Sequence, residues 1–218
     1  MYAYVKKNAS MQTEDNFSLF GTNAFHVVWE KVCKEVLKDA LLGAKKDLPK
    51  DIDIGDKKNL KEYIEKPHWQ IDDVENDTDT FIPDLITISE EKKIFAILDA
   101  KYYRVNVDNQ KGISGQPGIE SVSKQFMYEL AYEKIVPNGW TIYNAFLFPV
   151  QDTERLFEGK GGVWMDMFCN PPLNLQQIQI IFVNPKKAYQ KYLQNEKGVS
   201  ELLEIVQNSQ NTQNNVNL

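Results

Sequence analysis

Two acids and a lysine carry the chemistry that this sequence offers. Asp84 follows Pro83 and opens one apolar run; Asp99 and Lys101 close another, in the stretch FIPDLITISEEKKIFAILDAKYYRV. Paired carboxylates are ligands of hard divalent cations such as Mg²⁺ or Mn²⁺. A lysine beside them can offset negative charge that builds up on a phosphate in a transition state. Together these groups suit metal-assisted hydrolysis of a phosphodiester.

That chemistry needs the three side chains on one surface. In a strand over IFAILDAKYY, side chains alternate, so Phe95, Ile97, Asp99 and Lys101 share a face, while Ile94, Ala96, Leu98, Ala100 and Tyr102 share the other. Both faces are apolar up to Ala100, the signature of a central strand covered on both sides. If EEKK (90–93) is the hairpin loop, Ser89 lies opposite Ile94 and Asp84 opposite Asp99. Directly opposed residues have Cβ atoms about 4.5–5.5 Å apart. Two carboxylates that close repel one another, and one should hold its proton more tightly. Lys101 would lie about 6–7 Å further along the same face. A shift of one residue in this register would put Asp84 on the opposite face. Taken separately, D-x-K also reads as a solvated strand end and Pro-Asp as a turn; the specific feature is their combination around one hairpin.

This combination resembles the PD-(D/E)xK nuclease superfamily: Pro83-Asp84, fourteen residues, then Asp99-Ala100-Lys101. The resemblance implies that Asp84 and Asp99 bind a catalytic Mg²⁺, for which Mn²⁺ can substitute, that the Ala100 carbonyl is a further ligand, and that Lys101 assists attack. It adds an acid on the helix before the sheet, matched by Glu30 in FHVVWEKVC, as a catalytic and metal-binding residue. It also adds a polar residue on the helix after the motif, matched by Gln125, with Lys124 beside it in SVSKQFMYEL. The order FGTNAFHVVWEKVC, PHWQ, PDLI…LDAKYY, SKQFMYEL, AFLFPV is similar to that of LlaJI-type restriction endonucleases, over roughly residues 20 to 185. Such systems imply double-stranded DNA as substrate and a separate specificity or nucleotide-driven subunit. A homo-oligomer is the alternative arrangement.

The simpler readings of the added residues differ. Glu30 is also a helix-flank residue placed to pair with Lys34 at i+4. Lys124, Gln125 and Tyr128 also read as a polar helix face. Arg104 and Lys111, near the motif and in the loop after it, are candidate phosphate contacts along with Lys124.

The elements that must position these residues follow from periodicity. Phe25, Val28, Trp29, Val32, Val36, Leu37 and Leu41 predict a helix from an Asn23 N-cap to a stop at Gly43. Residues 44–67 read as an exposed connection with a short helix near 57–65, and Trp69–Val74 as a strand followed by the polar turn ENDTD. The hairpin strands are Phe81–Ser89 and Lys93–Val105, followed by a long loop over 106–120. A helix follows from Ser121 to Lys134, with Val122, Phe126, Leu130 and Ala131 as its apolar side. Then come a strand over Thr141–Val150, a polar loop over 151–175, a strand over Ile178–Val183, and helices over Pro185–Asn195 and Val199–Val206. This order predicts an α/β (α+β) fold, a mixed central sheet flanked by helices, of restriction-endonuclease type. The domain reading is an irregular segment over 1–22, a nuclease domain over 23–207 and a disordered polar tail over 208–218.

Composition sets the outer limits. The 218 residues are 42% hydrophobic and carry a net charge of −6, which argues against a generally basic nucleic-acid coat protein. Cys33 and Cys169 are far apart and only His26 and His68 accompany them, so neither a disulfide framework nor a structural zinc site is expected. No signal peptide or membrane span is visible, and the expected location is cytoplasmic. No P-loop is present, so nucleotide hydrolysis would belong to another subunit. The predicted function is a Mg²⁺-dependent DNA endonuclease, a type II restriction enzyme or the cleavage subunit of a restriction system. The alternatives are a DNA-repair or mobile-element nuclease with the same chemistry, and a non-catalytic DNA-binding or assembly subunit.

Overall fold

The computed structural model describes residues 24–108, 110–151 and 153–214, with side chains through residue 206. The segment 1–22 and the expected N-cap Asn23 lie outside the described residues. The helices are α1 (Phe25–Val36), α2 (Ile119–Tyr132), α3 (Asp166–Cys169), α4 (Pro185–Leu193) and α5 (Val199–Asn214). The strands are β1 (His68–Ile71), β2 (Val74–Asp77), β3 (Leu85–Ser89), β4 (Ile94–Ala100), β5 (Asn106–Asp108), β6 (Gly112–Ser114), β7 (Thr141–Pro149), β8 (Phe157–Val163) and β9 (Ile178–Val183).

The centre is a five-stranded sheet in the order β3-β4-β7-β9-β8. It is mixed: β3/β4 and β8/β9 pair antiparallel, while β4/β7 and β7/β9 pair parallel. A parallel pair needs a crossover, and α2 supplies the one between β4 and β7. The expected α+β fold with a mixed central sheet is the one observed.

β4 is buried along its whole length, as its two apolar faces require. Ile94, Ala96, Leu98 and Ala100 pack with Trp29, Val32 and Val36 of α1, Ala188 of α4 and Leu202 of α5. Phe95 and Ile97 face the other way, onto Tyr128 and Tyr132 of α2 and onto Leu41, Ile52 and Leu60 from the connection. Val122 and Phe126 continue the α2 layer over Phe146 and Phe148 of β7 and Ile178 of β9. Each such buried side chain contributes about 1.5–3 kcal/mol, so β4 is the part of the sheet that moves least cheaply.

Several boundaries differ from the sequence reading. α1 stops at Val36 rather than continuing toward Gly43. Leu37 caps it, Lys38 takes a left-handed φ of 55°, and Asp39 Oδ1 then accepts from the Ile86 N–H of β3 at 2.9 Å. Leu37 and Leu41 are buried as expected, but as chain crossing a sheet edge: Ala40 N–H donates to the Ile86 carbonyl at 2.7 Å. The helix expected near 57–65 is a single 3-10 turn at Leu60–Glu62. The strand and polar turn expected over 69–79 form one hairpin, β1/β2, turned by Asp72 (φ 54°).

The loop over 106–120 contains a second small hairpin, β5/β6. The polar loop over 151–175 holds the edge strand β8 and the short helix α3. β8 escapes strand propensity because of its glycines, which serve a bulge between Gly159 and Gly161, where Gly161 has φ 134°. α5 continues past Val206 to Asn214, into the segment read as tail. Extending a formed helix costs far less than nucleating one, so weak formers can follow an anchored start. Among the described residues no helix is long and apolar enough to cross a membrane.

Candidate active site

The β3/β4 hairpin pairs Ser89 with Ile94 and continues to Leu85 opposite Leu98. Asp84 is the next residue outward from Leu85, and Asp99 the next beyond Leu98. Side chains alternate, so Asp84 lies on the face of Ile86, and Asp99 on the face of Phe95 and Ile97. Both faces look toward α2, because Ile86, Phe95 and Ile97 share its core cluster. The register puts both carboxylates at the end of a buried sheet, beneath one helix.

Their contacts are few and specific. Asp84 Oδ2 accepts from the Ala100 N–H at 2.8 Å, bridging the open end of the hairpin. Asp99 is 6% exposed; its Oδ2 lies 2.8 Å from Lys101 Nζ, and its Oδ1 is buried without a hydrogen-bond partner. The backbone N–H of Lys101 donates to the Leu147 carbonyl at 3.0 Å, which extends the β4/β7 ladder and fixes the direction of the lysine stem.

Electrostatics reflect this crowding. Burial, then the charge of Asp99 and its side-chain hydrogen bond, push the Asp84 carboxyl up to about 7, against the opposing pull of the Ala100 N–H and Lys101. Burial works to lower the Lys101 ammonium, but Asp99 and Asp84 outweigh it and hold it above the ordinary lysine range. A buried acid pair with one unpartnered oxygen and one retained proton is a poor structural device. It is a favourable setting for a small cation, which removes the repulsion and occupies the free lone pairs.

The orphaned Asp99 Oδ1 and the two adjacent carboxyls therefore fit a divalent cation of the Mg²⁺ class, which commonly takes only one or two carboxylates and completes its shell with water and phosphate oxygens. Among the described residues no cluster of three or more His, Cys, Asp or Glu side chains is placed to hold a metal. Glu30 makes an ion pair with Lys34 one turn along α1. It remains close enough, with Asp84, to add to the upward push that burial exerts on the Cys33 thiol.

Gln125 is fully buried and turns to the sheet. Its Nε2 donates to the Ile97 carbonyl at 3.2 Å and the Ala145 carbonyl at 3.5 Å, so its contacts fasten α2 to β4 and β7. Lys124 pairs with Glu120 at 2.7 Å on the exposed side of α2. Arg104 and Lys111 are exposed, before and within the β5/β6 hairpin.

Two further features belong to the site's support. Tyr128, read as part of a polar face, is 6% exposed; its hydroxyl donates to the Ile82 carbonyl at 2.8 Å and holds the segment that leads into Asp84 and β3. Behind Gln125, Asn144 Nδ2 donates to the Gln125 carbonyl and to Glu129 Oε2, both at 3.0 Å, and Glu129 Oε1 accepts from the Gln176 N–H at 2.8 Å. The signal for this network is visible in TIYNAFLFP, where one asparagine interrupts an apolar strand.

Comparison with known proteins gives a context for this geometry. The family model of the LlaJI restriction endonuclease matches residues 1–186. The chain is 34% identical over 186 residues to the "Type II restriction enzyme BsuMI component YdjA" of Bacillus subtilis (strain 168). The match takes in 82% of this chain and 34% of the relative, so the chain spans about a third of that protein's length. No solved structure matches. The chain belongs to the LlaJI restriction endonuclease family and, through it, to the proteins of restriction systems.

Proposed function

We propose that this chain is a DNA endonuclease of a restriction system, with a PD-(D/E)xK site formed by Asp84, Asp99 and Lys101. The observation that carries the reading is the β3/β4 register, which leads Asp84 to Asp99 while Lys101 stands 2.8 Å from the same carboxylate. Asp84 and Asp99 would hold Mg²⁺ or Mn²⁺, with the Ala100 carbonyl as the further ligand that the superfamily resemblance implies. When bound, such a cation supplies Lewis-acid polarisation of the phosphate and acidifies water.

The chain's own residues do the rest. Lys101 remains protonated at neutral pH and places a positive charge where the phosphate gains negative charge. Asp99 orients that ammonium through the Oδ2 contact. The Ala100 N–H holds Asp84 in place, and the buried strand beneath keeps both acids from drifting apart. Gln125 and Tyr128 lock α2 over the pair, and water-poor walls strengthen every charge interaction inside.

The relative is named as a component of a restriction enzyme, which supports a cleavage subunit that takes sequence specificity from a separate protein. The test is cleavage of mixed plasmid and phage DNA in Mg²⁺, by the chain alone and with a separately purified specificity subunit. Metal-dependent fragments under either condition support the reading; intact DNA under both would contradict it.

A further inference from the structure

Two hairpins stand clear of the central sheet, and they differ in electrical character. In β1/β2 every residue is exposed; Trp69, Ile71 and Val74 share one face, Asp72 and Asp73 form the turn beside them, and Glu75 and Asp77 lie on the other face against His68. That surface would repel a phosphate backbone. β5/β6 is also exposed throughout, and its Val107 and Ile113 sit directly opposite one another, 68% and 56% exposed. Arg104 precedes it and Lys111 lies within it, both exposed. Its one carboxylate, Asp108, is also exposed but lies on the face opposite Val107 and Ile113, where Oδ1 accepts from the N–H groups of Gln110 and Lys111 at 2.8 and 2.9 Å.

Both roots of β5/β6 are tied to the site. The leading strand begins shortly after Lys101, and Val105 packs into the cluster beneath α2. The returning strand runs into α2, whose Tyr128 hydroxyl holds the Ile82 carbonyl two residues before Asp84. Gly115 seats the base. Its φ is +75°, and a Cβ there would lie 2.2 Å from the Arg104 carbonyl oxygen, so only glycine allows the two roots to come this close. The two roots of the hairpin are therefore held together, a few residues after Lys101 in the chain.

Resting on the nuclease reading, we propose that β5/β6 enters the major groove of duplex DNA held at the site, with Val107 and Ile113 against base edges and Arg104 and Lys111 on the flanking phosphates. A two-stranded ribbon fits that groove, and apolar side chains there contact features such as the thymine methyl. An isolated hairpin with two large apolar side chains in water is marginal by itself, and groove insertion covers them. The cations match the phosphates on either side, and the projection is continuous with the reacting centre.

The test is fluorescence anisotropy with a short labelled mixed-sequence duplex, with Ca²⁺ in place of Mg²⁺, over a salt series. The Val107→Ser/Ile113→Ser protein should bind about tenfold more weakly with an unchanged salt slope, whereas Arg104→Ala and Lys111→Ala should each lower the slope by about 1. Trp69→Ser, on the acidic hairpin, should bind like wild type. A photo-crosslinking residue at Val107 should label the duplex, and one at Trp69 should not. Wild-type affinity in the double variant, with no crosslink from Val107, would overturn the groove assignment and leave the nuclease reading standing. A wild-type protein that neither binds nor cuts duplex DNA, both alone and with the specificity subunit, would overturn both.

Discussion

Asp84 and Asp99 sit at the end of one hairpin because Ser89 pairs with Ile94. The antiparallel ladder from that pair ends at Leu85 and Leu98, and each acid is the next residue beyond. The site is therefore as rigid as β4, and β4 is buried on both faces. A slip of one residue would separate the acids onto opposite faces, but it would also turn Ile86 out of the core, so packing enforces the register that the proposed chemistry needs.

The raised Asp84 carboxyl gives a pH dependence with a definite sign. Its folded value, about 7, exceeds the ordinary carboxylate value of 3.8. Between those values the folded chain binds more protons than the unfolded one, so this group's contribution to stability falls as pH rises from about 4 to about 7. Without divalent cations, the thermal midpoint of wild type should drop across that window relative to Asp84→Asn. Mg²⁺ or Mn²⁺ should restore it near pH 7. A wild-type profile that tracks Asp84→Asn at every pH, with or without metal, would show that the carboxyl pair is not strained.

Asn144 should be a stability residue. Replacing it with Ala removes both donated bonds and leaves buried Glu129 short of a partner, at a cost of about 1–3 kcal/mol in urea denaturation. A change below that range would mean that water replaces the amide and that the network is less closed than its geometry suggests.

The hairpin and its register, and with them the juxtaposition of Asp84, Asp99 and Lys101, were legible because period-two alternation and the position of EEKK leave little freedom; the strands themselves are shorter than the apolar runs, Leu85–Ser89 and Ile94–Ala100 rather than Phe81–Ser89 and Lys93–Val105. The central sheet was legible for the same reason. Other features were not. Apolar spacing through Leu37 and Leu41 is compatible with a longer helix, and only the left-handed Lys38 and the Asp39 bond to β3 reveal the crossing. β8 hid in EGKGG because a glycine bulge has no propensity signal. Gln125 and Lys124 are adjacent in sequence, yet one faces sheet carbonyls and the other solvent; a helix turns about 100° per residue, and the apolar stripe alone left the docked face ambiguous.

Glu30 distinguishes a helix-flank ion pair from a metal ligand. Its bond to Lys34 is worth about 0.3–0.5 kcal/mol as an i,i+4 pair. Glu30→Gln should therefore barely move the thermal midpoint and should reduce cleavage far less than Asp99→Asn. A loss as severe as that of Asp99→Asn would assign Glu30 to the reacting centre.

Gly115→Ala tests the seat of the β5/β6 hairpin. The new methyl meets the Arg104 carbonyl in a left-handed backbone, so the hairpin base must shift. Duplex affinity should fall while the urea midpoint changes little, because the exposed hairpin contributes little to the core. Unchanged affinity would show that the hairpin's position is immaterial to binding.

The most direct measurement is paired: Mn²⁺ binding by calorimetry and Mg²⁺-dependent cleavage of plasmid DNA, in wild type, Asp99→Asn and Lys101→Met, with the specificity subunit present where cleavage requires it. Asp99→Asn should lose both metal binding and cleavage, while Lys101→Met should keep metal binding and lose cleavage. Cleavage by both variants at the wild-type rate would contradict a hydrolytic centre at Asp84, Asp99 and Lys101.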